Sequence, residues 1–132
     1  MTPLFADTYY FIALLSPHDA AHRRAVEYSR LIEQSVTTEW VLLELADGLA
    51  GTKNRHLFRE TRDALLTDPP AVVVPLDTAL HERAVDLYVR RPDKQWSLTD
   101  CVSFLVMQDH GLTQALTADH HFEQAGFVAL LK

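Results

Sequence analysis

Apolar residues recur along the chain in two rhythms. Short runs that are wholly apolar or β-branched predict five buried strands: Leu4-Phe5-Ala6, Val36-Thr37-Thr38, Ala71-Val72-Val73-Val74, Ala115-Leu116-Thr117 and Phe127-Val128-Ala129-Leu130. Between them the apolar positions fall at helical spacing. Ala21, Ala25, Tyr28 and Ile32 predict one long helix over about 18–34. Further helices are expected over 8–15, stopped by Ser16-Pro17, and over 39–50, closed by Gly51. Others are expected over 53–66, ended by Asp68-Pro69-Pro70, from an Asp77 cap to about Arg90, and over 98–110, stopped by Gly111.

Strands that alternate with helices predict an α/β protein. The expected architecture is an α/β/α sandwich around a central parallel sheet of about five strands. No repeat, low-complexity tract or linker interrupts the pattern, so residues 1–132 read as one domain. In such sheets ligands bind beyond the carboxyl ends of the strands, so residues just after a strand carry the functional interest.

Composition narrows the picture. The chain is 48% hydrophobic and 23% charged, the balance of a folded globular domain. No apolar run approaches the roughly 18 residues of a membrane-spanning helix. The stretch Met1 to Asp7 lacks the basic residues and long apolar segment of a signal peptide. With the single cysteine, Cys101, this leads to the expectation of a reducing, cytoplasmic location. The net charge of −6 runs against the basic balance usual for nucleic-acid binding, unless acids are gathered around a cation.

Four carboxylates suggest such a gathering. Asp7 directly follows the first predicted strand, and Asp119 lies just past the fourth. Each also suits the cap of the next helix. Glu44 interrupts the apolar stretch Trp40-Val41-Leu42-Leu43-Glu44-Leu45, where desolvation would be costly without a positive partner. A surface position beside Asp47 is the competing reading. Asp100 begins an apolar run and completes a Ser97-Leu98-Thr99-Asp100 capping box. Oxygen-only ligands select Mg²⁺ or Mn²⁺, and carboxylate-held metals are common equipment for phosphodiester hydrolysis. Without these four acids the rest of the chain is close to neutral and compatible with RNA.

The segments Phe5-Ala6-Asp7-Thr8, Leu43-Glu44-Leu45, Trp96-Ser97-Leu98-Thr99-Asp100 and Thr117-Ala118-Asp119-His120-His121-Phe122, with Ala125-Gly126-Phe127, resemble in order and spacing the PIN-domain ribonucleases of the VapC toxin type. The resemblance spans essentially the whole chain. It implies a PIN-like sandwich and a site in which Asp7, Glu44, Asp100 and Asp119 surround one or two Mg²⁺ or Mn²⁺ ions. It also implies endonucleolytic cleavage of single-stranded RNA by metal-activated water. Thr8, Ser97 and Thr117 would orient waters or carboxylates from behind. A cognate antitoxin whose tail covers the acids, and a homodimer, are implied as well. The exposed face of the helices between residues 18 and 66 is the expected dimer interface. A housekeeping PIN ribonuclease without an antitoxin, and a non-catalytic PIN-fold binding module, are the alternatives. A phosphate-handling receiver domain fits less well, because Val74 is followed by Pro75-Leu76 and not by an acceptor aspartate.

Basic residues gather unevenly. Lys53, Arg55, Arg90, Arg91 and Lys94 are the candidates for RNA phosphate contacts. Arg55, Arg59 and Arg62 share a helix face whose plain reading is solvation. His18 and His22 lack the partners of a zinc site and are expected to pack or face solvent. His120 and His121, being adjacent, are expected to face different ways. Trp96 is expected to anchor the loop before Asp100, and Cys101 to be a small buried apolar residue.

Overall fold

A computed structural model describes residues 3–51, 53–67 and 70–132. In chain order the elements are β1 (Leu4–Ala6), α1 (Thr8–Leu15), α2 (His22–Leu31), β2 (Ser35–Thr38), α3 (Glu39–Leu49), α4 (Arg55–Leu65), β3 (Val72–Val74), α5 (Thr78–Arg90), α6 (Leu98–Asp109), β4 (Gln114–Leu116), α7 (His120–Gln124) and β5 (Val128–Ala129). The five strands form one parallel sheet in the order β3-β2-β1-β4-β5, flanked by helices as the hydrophobic pattern requires.

β1 is central, and all three of its side chains are buried. It pairs with β2 on one side, Phe5 opposite Val36, and with β4 on the other, Ala6 opposite Leu116. The chain runs outward from β1 to β2 and β3, then crosses back to β4. The strand order therefore reverses between β1 and β4, which is where an open parallel sheet leaves its ligand crevice. Asp7 and Thr117 are the residues that leave those two strands.

Helix ends follow local chemistry. The side chains of Thr38, Asp77 and Ser97 accept the capping bonds of α3, α5 and α6, from Val41, Leu80 and Asp100 amides. Gly111 takes φ +67° just past α6, and Leu112 N–H donates to the Met107 carbonyl at 2.8 Å. That closure needs a left-handed residue, which glycine adopts without the Cβ penalty.

Two expectations that bear on the site need correction. The helix expected over 18–34 is shorter, because Asp19 caps a turn through the Ala21 amide at 2.8 Å and the helix begins only at His22. His18 thus lies outside it, and His22 Nδ1 meets the Ala13 carbonyl at 2.7 Å, a packing role. The fourth strand ends at Leu116, so Thr117 lies just past it, buried behind Asp7. The Asp68-Pro69 part of the expected helix breaker lies outside the described residues.

An aromatic cluster joins the elements around the crevice. Phe104 of α6 meets Phe122 of α7 edge to face at 5.0 Å, Trp96 at 5.0 Å and Phe127 at 5.8 Å. Phe5 of β1 packs on Phe122 at 6.3 Å. Trp96 anchors its loop as expected: it is buried, and its Nε1–H donates to Gln124 Oε1 at 3.0 Å. Cys101 is fully buried, and burial, with Asp100 nearby, pushes its thiol pKa up to about 11. Among the described residues no helix is long and apolar enough to cross a membrane.

Gly111→Ala should lower stability by about 1–2 kcal/mol, because a Cβ would meet open space and only backbone strain remains. Urea unfolding measures this; an unchanged midpoint would show that the turn readily takes another conformation.

Candidate active site

Asp7 is the first residue after β1 and only 7% exposed. It occupies the N-cap position of α1, yet its side chain makes no capping bond. Instead Asp7 Oδ2 accepts a hydrogen bond from Thr117 Oγ1 at 2.8 Å. The same buried hydroxyl accepts from the Asp119 amide at 3.1 Å. Thr117 thereby couples the residue leaving β1 to the segment leaving β4.

Asp100 and Asp119 both cap helices and face the crevice, so the structural and functional readings coexist. Asp100 completes the capping box of α6: its amide donates to Ser97 Oγ at 3.0 Å, and its Oδ2 accepts from the Ser97 amide at 3.1 Å. Asp119 Oδ1 accepts from the His121 amide at 2.9 Å and starts α7. Glu44 reaches the crevice from the second turn of α3, held at its start by the Thr38 cap.

Glu44 is exposed. The desolvation argued for it from the sequence is absent, because Leu43 also points to solvent, at 53% exposure, and leaves that side of α3 open. Glu44 nonetheless lines the same cavity as the other three acids. The cavity has a volume of about 450 Å³. Thr8 and Ser97 also line it, while Thr117 acts from behind through Asp7.

Besides Tyr9, Ile12 and Gln95, two charge-bearing lining residues, Asp19 and His121, were not assigned to the site from the sequence. Asp19 contributes a fifth acid, which had been hidden inside the long helix expected there. His121 does not point away from His120; the rings lie 4.4 Å apart. Its Nδ1 stands 3.3 Å from Asp100 Oδ2 and 3.2 Å from Asp119 Oδ1. The cap formed by Asp119 was the available signal, since it draws the His121 amide, and the ring with it, toward the carboxylate.

The electrostatics are those of crowded, partly dried acids. Burial pushes the Asp7 pKa up to about 7, with Asp100 and Glu44 adding repulsion and the Thr117 hydrogen bond opposing it. Burial also raises Asp100, as does Asp119, while the Ser97 amide and His121 act against the shift. Among the described residues no lysine or arginine lines the cavity. The oxygens of acids arranged in this way suit a hard divalent ion. The Thr8 hydroxyl, buried there without a hydrogen bond, fits the same need for a polar occupant.

The basic candidates are set apart. Arg91 makes paired hydrogen bonds to Asp93 at 3.0 Å each and lies over the Trp96 ring at 4.9 Å. Arg91 and Lys94 border a neighbouring hollow that shares Gln95 with the acidic cavity. Arg90 faces a different hollow with Arg83 and Asp86. Lys53 and Arg55 are exposed near the start of α4 and do not line the acidic cavity.

A parallel α/β/α sandwich with carboxylates converging at its strand ends is the architecture of a metal-dependent phosphodiesterase. The PIN domain model matches residues 4–128, and the chain belongs to this family, whose nucleases generally depend on divalent metal. It is 28% identical over 125 residues, 95% of each chain, to the 23S rRNA-specific endonuclease VapC20 of Mycobacterium tuberculosis. The crystal structure of that sarcin–ricin loop cleaving toxin superposes with a TM-score of 0.84 at 27% identity, covering 95% of this chain and 96% of the other. VapBC2 from Rickettsia felis, bound to a promoter DNA fragment, shares the fold at a TM-score of 0.68 and 11% identity, over 97% of both chains. FitAcB from Neisseria gonorrhoeae shares it at 0.64 and 20% identity, over 96% and 94%.

A carboxyl whose folded pKa lies above its unfolded value holds its proton more tightly when folded. The contribution of Asp7 to stability is therefore complete below about pH 4 and is lost as the pH rises to about 7. In EDTA, Asp7→Asn should be more stable than the parent at pH 8, by up to about 4 kcal/mol. The advantage should vanish near pH 4. Added Mn²⁺ should stabilise the parent more than the variant. Denaturant titrations at the two pH values check this, and a pH-independent difference would refute it.

Proposed function

We propose that this chain is a divalent-metal-dependent endoribonuclease of the VapC toxin type, with residues 1–132 acting as one domain in the cytoplasm. The observation that carries the reading is the convergence of Asp7, Glu44, Asp100 and Asp119, from four separate segments, on one cavity that no lysine or arginine lines among the described residues. The likeness to VapC20 over nearly the whole length supports RNA as the substrate.

Asp7, Asp100 and Asp119 would hold Mg²⁺ or Mn²⁺, one ion or two, with Glu44 at the open side. When bound, the metal supplies Lewis acidity toward the phosphate and makes the attacking water more acidic. Thr117 fixes the Asp7 carboxylate, and the Ser97 box fixes that of Asp100, so neither has to reorganise as charge builds. Exposed Glu44 has the freedom to orient the attacking water and accept its proton. The Thr8 hydroxyl orients a water or carboxylate beside it.

Single-stranded RNA would lie across the cavity mouth, its phosphates met by Lys94 and Arg91 and, farther off, by Arg90, Lys53 and Arg55. An exposed loop of 23S rRNA is the first substrate to test. A cognate antitoxin would cover the acids with its tail, placing a basic side chain among them. A homodimer would form through the exposed face of the helices between residues 18 and 66, which carries Leu31 at 60% and Leu66 at 54% exposure.

The deciding experiment is cleavage of labelled, partly single-stranded RNA in Mn²⁺, Mg²⁺ or EDTA. Asp100→Asn keeps an oxygen for the Ser97 amide and should still fold, yet lose at least about 100-fold in rate. Lys94→Ala should raise KM and leave metal binding unchanged. Cutting in EDTA, or undiminished cutting by Asp100→Asn, would sink the proposal.

A further inference from the structure

We propose that His121 is a nitrogen ligand to the divalent cation of this site and gives it a preference for Mn²⁺ over Mg²⁺; this rests on the reading that the acids hold a metal. The local chain sets the geometry. Asp119 Oδ1 accepts the His121 amide at 2.9 Å, which folds the imidazole back over the cap. His121 Nδ1 then lies 3.2 Å from Asp119 Oδ1 and 3.3 Å from Asp100 Oδ2. These carboxylates come from the starts of two different helices, α7 and α6.

At those distances a simple hydrogen bond would be the ordinary explanation, but Nδ1 is buried and makes none. A buried polar nitrogen that makes no hydrogen bond is costly and rare. Metal ligation resolves it. Neighbouring ligands on an octahedral ion with bonds of about 2.1 Å stand about 3 Å apart. The spacing of Nδ1 from both carboxylate oxygens is close to that. The tautomer with its proton on Nε2 leaves the Nδ1 lone pair available to the ion. Asp119, His120 and His121 offer donor atoms within 4.8 Å of one another, but His120 is largely exposed, with Nδ1 3.8 Å from Asp119 Oδ1. His121 is the better-placed donor.

An imidazole changes which ion the site prefers. Mg²⁺ favours oxygen throughout, whereas first-row transition ions accept nitrogen. A site of carboxylates and one imidazole therefore binds Mn²⁺ more tightly relative to Mg²⁺ than the same acids alone.

The test is pulsed electron paramagnetic resonance of the full chain loaded with Mn²⁺, with calorimetric Mn²⁺ and Mg²⁺ titrations alongside. The parent should show ¹⁴N coupling from a ligated imidazole. His121→Asn places an oxygen near the Nδ1 position; it should lose the coupling, and its Mn²⁺-to-Mg²⁺ affinity ratio should fall about 10-fold or more. His120→Ala should keep both. If His121→Asn does not fold, the parent and His120→Ala spectra still decide the assignment. Mn²⁺ binding without nitrogen coupling, or coupling lost only in His120→Ala, overturns the ligand role and leaves the acidic metal site standing. Absence of Mn²⁺ binding in the parent overturns both.

Discussion

Thr117 donates a hydrogen bond to Asp7 across 110 residues of sequence, and the site depends on that bond. Asp7 sits at the most buried point of the crevice, where its charge is costly and other acids stand close by. A carboxylate in such a place must be held, or it turns outward. The Thr117 hydroxyl holds it from one side and receives the Asp119 amide on the other. The pairing of β1 with β4 makes this possible, because it sets the two strand ends next to each other at the reversal of strand order.

The aromatic cluster gives the acids a rigid backing. Phe104 and Phe122 pack edge to face between α6 and α7, and Phe5 ties β1 to the same group. Asp7, Asp100 and Asp119 therefore stand at the ends of elements that share one packed core. Packing of this density fixes positions to fractions of an ångström, the tolerance a metal centre demands. Glu44 is held differently, on an exposed turn of α3, and keeps the freedom the other three lack.

The charge distribution resolves the difficulty posed by a net charge of −6. Five acids line one cavity, so a good part of the negative balance is local. A cation there would screen it toward an approaching phosphate. Lys94 and Arg91 lie beyond Gln95 and offer the opposite sign beside the mouth. The same acidity suits the cavity to a basic side chain as well as to a cation.

Strand and helix positions were largely legible because short apolar runs, caps and glycine stops act locally. Leu4-Phe5-Ala6, the Ser97 box and Gly111 are where their sequence signals placed them. Asp7, Asp100 and Asp119 were legible for the same reason, since each sits beside a strand end or a helix start. Glu44 was selected on a desolvation argument that does not hold. It lines the cavity because of how α3 packs against α1 and α6, not because its own turn is dry. Asp19 and the inward His121 ring were invisible for a related reason: one depends on a turn that interrupts helical periodicity, the other on a cap that rotates a side chain. The sequence by itself determined the alternation of elements and the supply of acids at their ends, since both follow from neighbours in the chain. Only the tertiary structure decided which side chains meet in one cavity, because those contacts join residues far apart and are set by strand pairing and core packing.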